Sequence, residues 1–408
     1  MPNAKALLAT GLALFLAACG GGTPPPPSSI TLTVEDPMGN FNAAAYQVGF
    51  GSWQPLSVSG TTTKTGTFNL GGQSKYGVAV RCSSLVVLVI QATASELPNP
   101  KLECNGNPPT TVPFTVNVSV HASLLASGDS VCVNNANCQP VPGSGGVAVT
   151  FNTGAGNQDF LVTLVSGSWV KVAKVVKNVN VSSGGSTNAS LTATDQLAPV
   201  SLTLPTPPAG YTGPTGALVF YFSSSNTGGG VVNASLTSYR PVSGFGGGDR
   251  YAALVQASGT NASLLGIQVF NSGSPNLSLP APWLSGTLSV NQLAHPNVSG
   301  LSRNDSGLQG YQIYLQIPAQ IYYTASLIKN WLGNTTSYTL PDLSASSLLG
   351  YTPPTGSGSF EVSAILSNKS LFALDPNYPS AFQAGDYLQG AIAQTNSYTI
   401  GGGPITLP

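Results

Sequence analysis

Short runs of β-branched and aromatic residues, each cut off by Gly, Pro, Asn or Ser, recur along almost the whole of this 408-residue chain. Ile30-Thr31-Leu32-Thr33-Val34 and Thr115-Val116-Asn117-Val118-Ser119-Val120 alternate apolar and polar side chains, the period-2 mark of a half-buried strand. Tyr311-Gln312-Ile313-Tyr314-Leu315-Gln316-Ile317 alternates in the same way, while Leu85-Val86-Val87-Leu88-Val89-Ile90 is apolar throughout. Helical periodicity is confined to Ser326–Leu332, where Leu327, Ile328, Trp331 and Leu332 would share one face for a turn or two. With 48 glycines and 32 prolines breaking the runs, the pattern specifies an all-β fold of tandem β-sandwich domains.

Breaks rich in turn residues fall at Asn105-Gly106-Asn107-Pro108-Pro109 and at Leu204-Pro205-Thr206-Pro207-Pro208. They divide the chain into expected β-sandwich domains at 30–108 and 109–205 and a larger β-rich domain at 206–408. The middle segment, with Gly146–Phe151, Phe160–Val165 and the Val-rich stretch Trp169–Val181, resembles the small seven- or eight-stranded sandwiches of the transthyretin-like or carboxypeptidase-regulatory-like type.

Charged residues make up only 6% of the chain, against a usual share of about a quarter. Thirteen basic and thirteen acidic side chains leave no basic face to follow a phosphate backbone, so nucleic acid is not an expected partner. The nearest approach to a basic run, Lys171, Lys174 and Lys177, reads as a solvated strand edge whose charges discourage edge-to-edge pairing.

The first nineteen residues, MPNAKALLATGLALFLAAC, carry a positive start at Lys5, an apolar stretch from Leu7 to Leu16 too short to cross a membrane, and then Leu16-Ala17-Ala18-Cys19. That ending resembles the lipobox of bacterial lipoproteins. The resemblance implies a signal peptide of residues 1–18, cleavage before Cys19, and a diacylglycerol thioether with an added acyl chain such as palmitate on Cys19. More than one chain anchors stably. Gly20 in place of Asp leans the sorting toward the outer membrane, on either its periplasmic or its outer surface. The tether 19–29, glycines then four prolines, would separate this anchor from the folded body. Ser52–Leu56, Tyr76–Cys82 and Tyr338–Ser344 resemble a pattern of multi-domain β-sandwich surface lipoproteins, which brings no activity with it.

Four cysteines remain, Cys82, Cys104, Cys132 and Cys138, and an even number in an exported chain argues for disulfides. Of three possible pairings the nearest-neighbour one, Cys82–Cys104 with Cys132–Cys138, is expected, since each pair would join adjacent strands or close one loop. The spacings do not fit a zinc site, and neither a metal nor a cofactor is expected.

Catalytic motifs are scarce. His121 and His295 lie outside any HExxH, and there is no GxSxG elbow. The SxxK matches at Ser168–Lys171 and Ser326–Lys329 are of the number chance supplies in so serine-rich a chain. The carboxylates Glu35 with Asp36, or Asp375 with Asp386, read as turn-capping groups rather than a glycosidase or calcium pair. The chain is therefore expected not to be an enzyme. The more productive candidates are Trp283, Tyr322, Tyr323 and Trp331, aromatic faces that can stack on a sugar ring or fill a core. The expectation is a membrane-anchored structural or interaction module of the cell envelope. A glycan-binding surface lipoprotein is the alternative and an envelope hydrolase a distant third. Envelope proteins or glycans would be the partners, alongside the membrane reached through Cys19.

Overall fold

A computed structural model describes residues 27–83, 85–104, 110–135, 137–344, 348–370 and 382–408. The leader, Cys19, most of the tether and Asp375 lie outside these residues. The chain is all-β, with 53% of it in strands and 3% in helix, and the strands form several packed sheets.

The largest sheet has twelve strands. From one edge they are Gly229–Val231, Leu218–Phe222, Arg250–Gly259, Ala262–Phe270, Tyr387–Thr399, Ser357–Ser367, Leu308–Ile317 and Ile321–Ile328. The order continues through Val86–Thr93, Lys75–Cys82 and Phe41–Val48 to Gln54–Pro55. All neighbours are antiparallel except at one seam, where Ile321–Ile328 runs parallel to Val86–Thr93 with Tyr322 opposite Val86 and Leu327 opposite Gln91. Strands from the expected 30–108 and 206–408 segments thus share one layer.

Why the Leu85–Ile90 run is apolar on both faces follows from its place beside this seam. Val87 and Val89 enter the largest core with Ile313, Leu315 and Tyr323, beneath the four-stranded sheet of Ser337–Thr339, Asn297–Ser299, Ser289–Val290 and Ile405–Thr406. On the other face Val86, Leu88 and Ile90 pack in a second core with Ile30, Leu32 and Val34. That core is roofed by the three-stranded sheet of Thr63–Asn69, Ser29–Glu35 and Lys101–Glu103. Cys82 at the end of a large-sheet strand is bonded to Cys104 just past this roof, which staples the two layers together.

The middle of the chain forms a seven-strand sandwich. Asn137–Pro140, Asp129–Val133, Gly156–Ser166 and Trp169–Val181 make one sheet, and Gly146–Gly154, Thr111–Val120 and Gly185–Leu191 the other. Phe114, Phe151, Phe160, Val162 and Leu164 fill the space between them. Cys132 pairs with Cys138 within the hairpin of the first two strands. Phe160–Leu164 is buried on both faces, because Leu161 points outward into a further core with Val219, Tyr221 and Tyr251. The sandwich ends at Leu191; Val200–Ser201 already pairs with Ser238–Tyr239 of the following segment.

Two local expectations are corrected. The helical reading of Ser326–Leu332 gives way to a strand through Ile328 and a single turn at Lys329–Leu332. Pairing of Ser326, Leu327 and Ile328 with Gln312, Tyr311 and Gly310 wins over three residues' worth of helical spacing. The three lysines do stand on the edge strand of their sheet, but their ammonium groups are ion-paired rather than solvated. Lys171 lies 2.7 Å from Asp129, Lys174 3.1 Å from Asp195 and Lys177 2.7 Å from Asp249, each carboxylate at least nine-tenths buried. A buried carboxylate needs a counter-charge, and a lysine can deliver one on a long stem while its own root stays at the rim.

Candidate functional site

Cross-strand partners stand on the same face of a sheet, so the register shows how the aromatic candidates are distributed. Tyr322 sits opposite Val86, on the face that the N-terminal roof covers. The roof stops short of it. One row across this face runs Leu88, Thr324, Tyr314, Glu361, Gln394, and only its first member lies under the roof. Beyond the roof none of the described residues covers the face, and Tyr322 is 43% exposed. Tyr314, Tyr322, Gln316, Glu361, Gln394 and Asn396 line a shallow depression of about 440 Å³ there. The Tyr314 hydroxyl donates to Gln312 Oε1 at 2.9 Å and the Ser363 hydroxyl to Glu361 at 2.8 Å, so Tyr314 and Glu361 are each held by a neighbour two residues away on the same strand.

Farther along the same face the row Leu388, Ile267, Leu254, Leu218 is apolar. Leu254, Ile267 and Leu388 of this row, with Phe220 and Phe222, form a groove of about 240 Å³, closed by Phe382 and by the Arg250 guanidinium 5.6 Å from the Phe222 ring.

The other sequence candidates go elsewhere. Tyr323, one residue along from Tyr322, points to the opposite face, where it is 2% exposed and its hydroxyl donates to the Pro341 carbonyl. Trp283 is also core. Its ring is stacked on Tyr311, its Nε1 donates to the Ala391 carbonyl at 3.0 Å, and the Arg303 guanidinium lies 5.1 Å from it. Trp331 is mostly buried, but one edge reaches a second cleft, where the exposed Phe50 ring is 5.3 Å away. The four residues are therefore not one platform. Phe50, Trp53, Gln47, Gln91 and Tyr314 were not among the sequence candidates, although Phe50 and Trp53 stand close together in a chain with four tryptophans.

The carboxylates are engaged in holding structure. Asp249 accepts from Lys177, the Tyr221 hydroxyl and the backbone of Ser224 and Gly246. Burial alone would raise the pKa of Asp195, but donors from Ser243, Thr192 and Lys174 outweigh it and hold the group at about 2. Asp36 pairs with Lys64, Glu35 accepts from Thr63, and Asp386 accepts from the backbone of Gln383 in a turn. His121 caps a single 3-10 turn, accepting from Ser123 N. Burial lowers the pKa of His295, whose Nε2 is 2.8 Å from the Tyr351 hydroxyl and 3.5 Å from Asp342. Among the described residues no group of three or more His, Cys, Asp or Glu side chains is placed to hold a metal ion, and no helix is long and apolar enough to cross a membrane.

No family model matches the chain, and no curated protein is detectably similar to it. Among solved structures, one titled the Bacillus anthracis TIE protein aligns over 98% of this chain and 77% of its own at 9% identity. Its TM-score of 0.15 is too low to carry an argument about fold or function.

Proposed function

We propose that this protein is a lipid-anchored module of the bacterial cell envelope that works by binding and not by catalysis. It would be held at the outer membrane through acyl chains on Cys19, with its β-domains projecting beyond the Gly/Pro tether. The observation that carries the binding role is the half of the large sheet that no other described residues cover, where Tyr314, Tyr322, Glu361 and Gln394 give way to an apolar row of Leu218, Leu254, Ile267 and Leu388. A wide face of this kind left bare on a folded chain is the usual mark of a contact surface. The employment of the acidic groups in buried ion pairs and turn caps favours a non-catalytic role, and two disulfides suit an oxidising compartment.

Two measurements test the reading. Cells fed labelled palmitate are expected to label the wild-type chain and not Cys19→Ser, which would be released from the membrane fraction; equal labelling of both removes the anchor. Protease shaving of intact cells separates the faces. Release of peptides from 109–408 places the module outside, where adhesion and glycans become its partners, and protection until the outer membrane is opened makes it a periplasmic scaffold.

A further inference from the structure

Beyond the roof, the large sheet carries a carboxylate that the chain does not neutralise. Glu361 Oε1 accepts from the Ser363 hydroxyl, while Oε2 has no partner among the described residues and is open to solvent. Asp36, Asp129, Asp195 and Asp249 each have a lysine within 3.1 Å, whereas no described lysine or arginine lies at ion-pair distance from Glu361. Of all the lysines and arginines in the sequence only Lys5 lies outside the described residues, and no basic side chain lines the depression.

The register fixes what surrounds this group. Glu361 stands between Tyr314 and Gln394 in one row across the face. Tyr322 and Gln316 stand opposite each other in the next row, and Asn396 lies two residues beyond Gln394 on the same side. The Tyr322 hydroxyl and the side-chain amides of Gln316, Gln394 and Asn396 make no hydrogen bond with any described residue, and none of these groups is sealed from solvent. The depression therefore presents an exposed ring, a charge and several free amides, all within reach of a ligand lying on the sheet.

The strands limit the occupant. The four that carry the site, Leu308–Ile317, Ile321–Ile328, Ser357–Ser367 and Tyr387–Thr399, are all interior to the twelve-stranded sheet. Each is paired on both sides, so a peptide cannot join by main-chain bonds and the side chains must hold the ligand. Glu361 opposes an anion. A small inorganic cation would leave the Tyr322 ring and the amides unused, and a neutral sugar would leave Glu361 without a counter-charge. Tyr322 and Glu361 lie two strands apart, about 10 Å, which is too far for one sugar ring and calls for an oligomer. We propose that this depression binds an amino-sugar oligomer with free amines. One ring lies on Tyr322, the ammonium of a neighbouring ring sits between Glu361 Oε2 and the Tyr314 ring, and hydroxyls bond to Gln316, Gln394 and Asn396. The proposal rests on the binding role given above to this face and names its ligand class.

The test is calorimetric titration of the purified whole chain at pH 6 with hexamers of glucosamine, of N-acetylglucosamine and of a uronic acid. The glucosamine hexamer, with its amines protonated, is expected to bind roughly tenfold more tightly than the acetylated one, and the uronate most weakly. Glu361→Gln keeps an oxygen for the Ser363 hydroxyl and removes the charge, and is expected to bring the first two hexamers to equal affinity. Tyr322→Ala removes an exposed ring and is expected to weaken binding roughly tenfold. Phe50→Ala, at the second cleft, leaves binding unchanged. No binding of the glucosamine hexamer at millimolar concentration, equal or tighter binding of the acetylated hexamer, wild-type selectivity in Glu361→Gln, or a loss in Phe50→Ala to match Tyr322→Ala would each overturn the proposal. Binding of the acetylated hexamer alone, weakened by Tyr322→Ala, would overturn the amino sugar and leave the face its binding role. None of these outcomes touches the anchor, whose palmitate test is separate.

Discussion

Lys171, Lys174 and Lys177 show what a chain with 6% charged residues does with its charges. Each lysine ends on an aspartate from a different element, and Lys177 reaches Asp249 across the joint between the middle sandwich and the large sheet. Buried pairs of this sort add little net stability but penalise any docking that would separate them. The sequence displayed the lysines plainly, yet their partners are 42, 21 and 72 residues away and carry no local signal. His295 offers the test at this scale. Its folded pKa lies below the ordinary 6.5 because burial disfavours the imidazolium. The unfolded chain therefore binds more protons as pH falls through 6.5 toward the lowered value, and stability drops across that window. Above the window the neutral ring contributes in full. Chemical denaturation from pH 8 to 5 is expected to show this loss in the wild type and a flatter profile in His295→Gln; equal slopes would mean that the ring titrates normally.

Strands were legible where alternation or continuous apolarity met turn residues, because side-chain period reports burial directly. Ile30–Val34 and Tyr311–Ile317 alternate and bury every second residue, and Val86–Ile90 faces two cores. Which strand lies beside which was not legible, since alternation specifies a face and says nothing about a neighbour. The end of Ile321–Ile328 was misread for a related reason: Leu327, Ile328, Trp331 and Leu332 fit helical spacing, but the first two belong to a ladder with Tyr311 and Gly310 that local sequence does not reveal. Gly358 marks another such long-range constraint. It stands at an irregularity between Ser357–Ser367 and Tyr387–Thr399, and a Cβ there would fall 1.9 Å from the Gln316 carbonyl oxygen. Gly358→Ala must push two central strands apart, and a loss of about 2–3 kcal/mol is expected in denaturant unfolding. An unchanged midpoint would show that the ladder yields at that point.

At the scale of the whole molecule the chain is layered rather than beaded. The turn-rich breaks near 108 and 205 lie close to the limits of the seven-strand sandwich, but the segments on either side of it are joined through twelve strands. Linker composition shows where a chain can turn and not what it returns to. The candidate site inherited that blindness: Trp331 was visible as an aromatic, while Phe50, Trp53 and Gln91, which come to it from the other end of the chain, were not grouped with it. The Cys82–Cys104 bridge closes a 22-residue separation between the large sheet and its N-terminal roof. Replacing both cysteines by Ser is expected to remove about 3 kcal/mol by the loop-entropy model. Hydrogen exchange should quicken first in Ser29–Glu35, Thr63–Asn69 and Lys101–Glu103, with the 111–191 sandwich unaffected; uniform quickening would show that the two units open together.

The parallel seam also sets a timetable. A chain that emerges from its N-terminus, whether in synthesis or in export, presents Val86–Thr93 long before Ile321–Ile328, so the N-terminal strands must wait, one edge bare, while more than two hundred further residues appear. The sandwich in between owns its neighbours and can close as soon as Leu191 emerges. Birth order and assembly order therefore differ, and an unfinished chain carries an adhesive Val- and Ile-rich border that only its own late strand should claim.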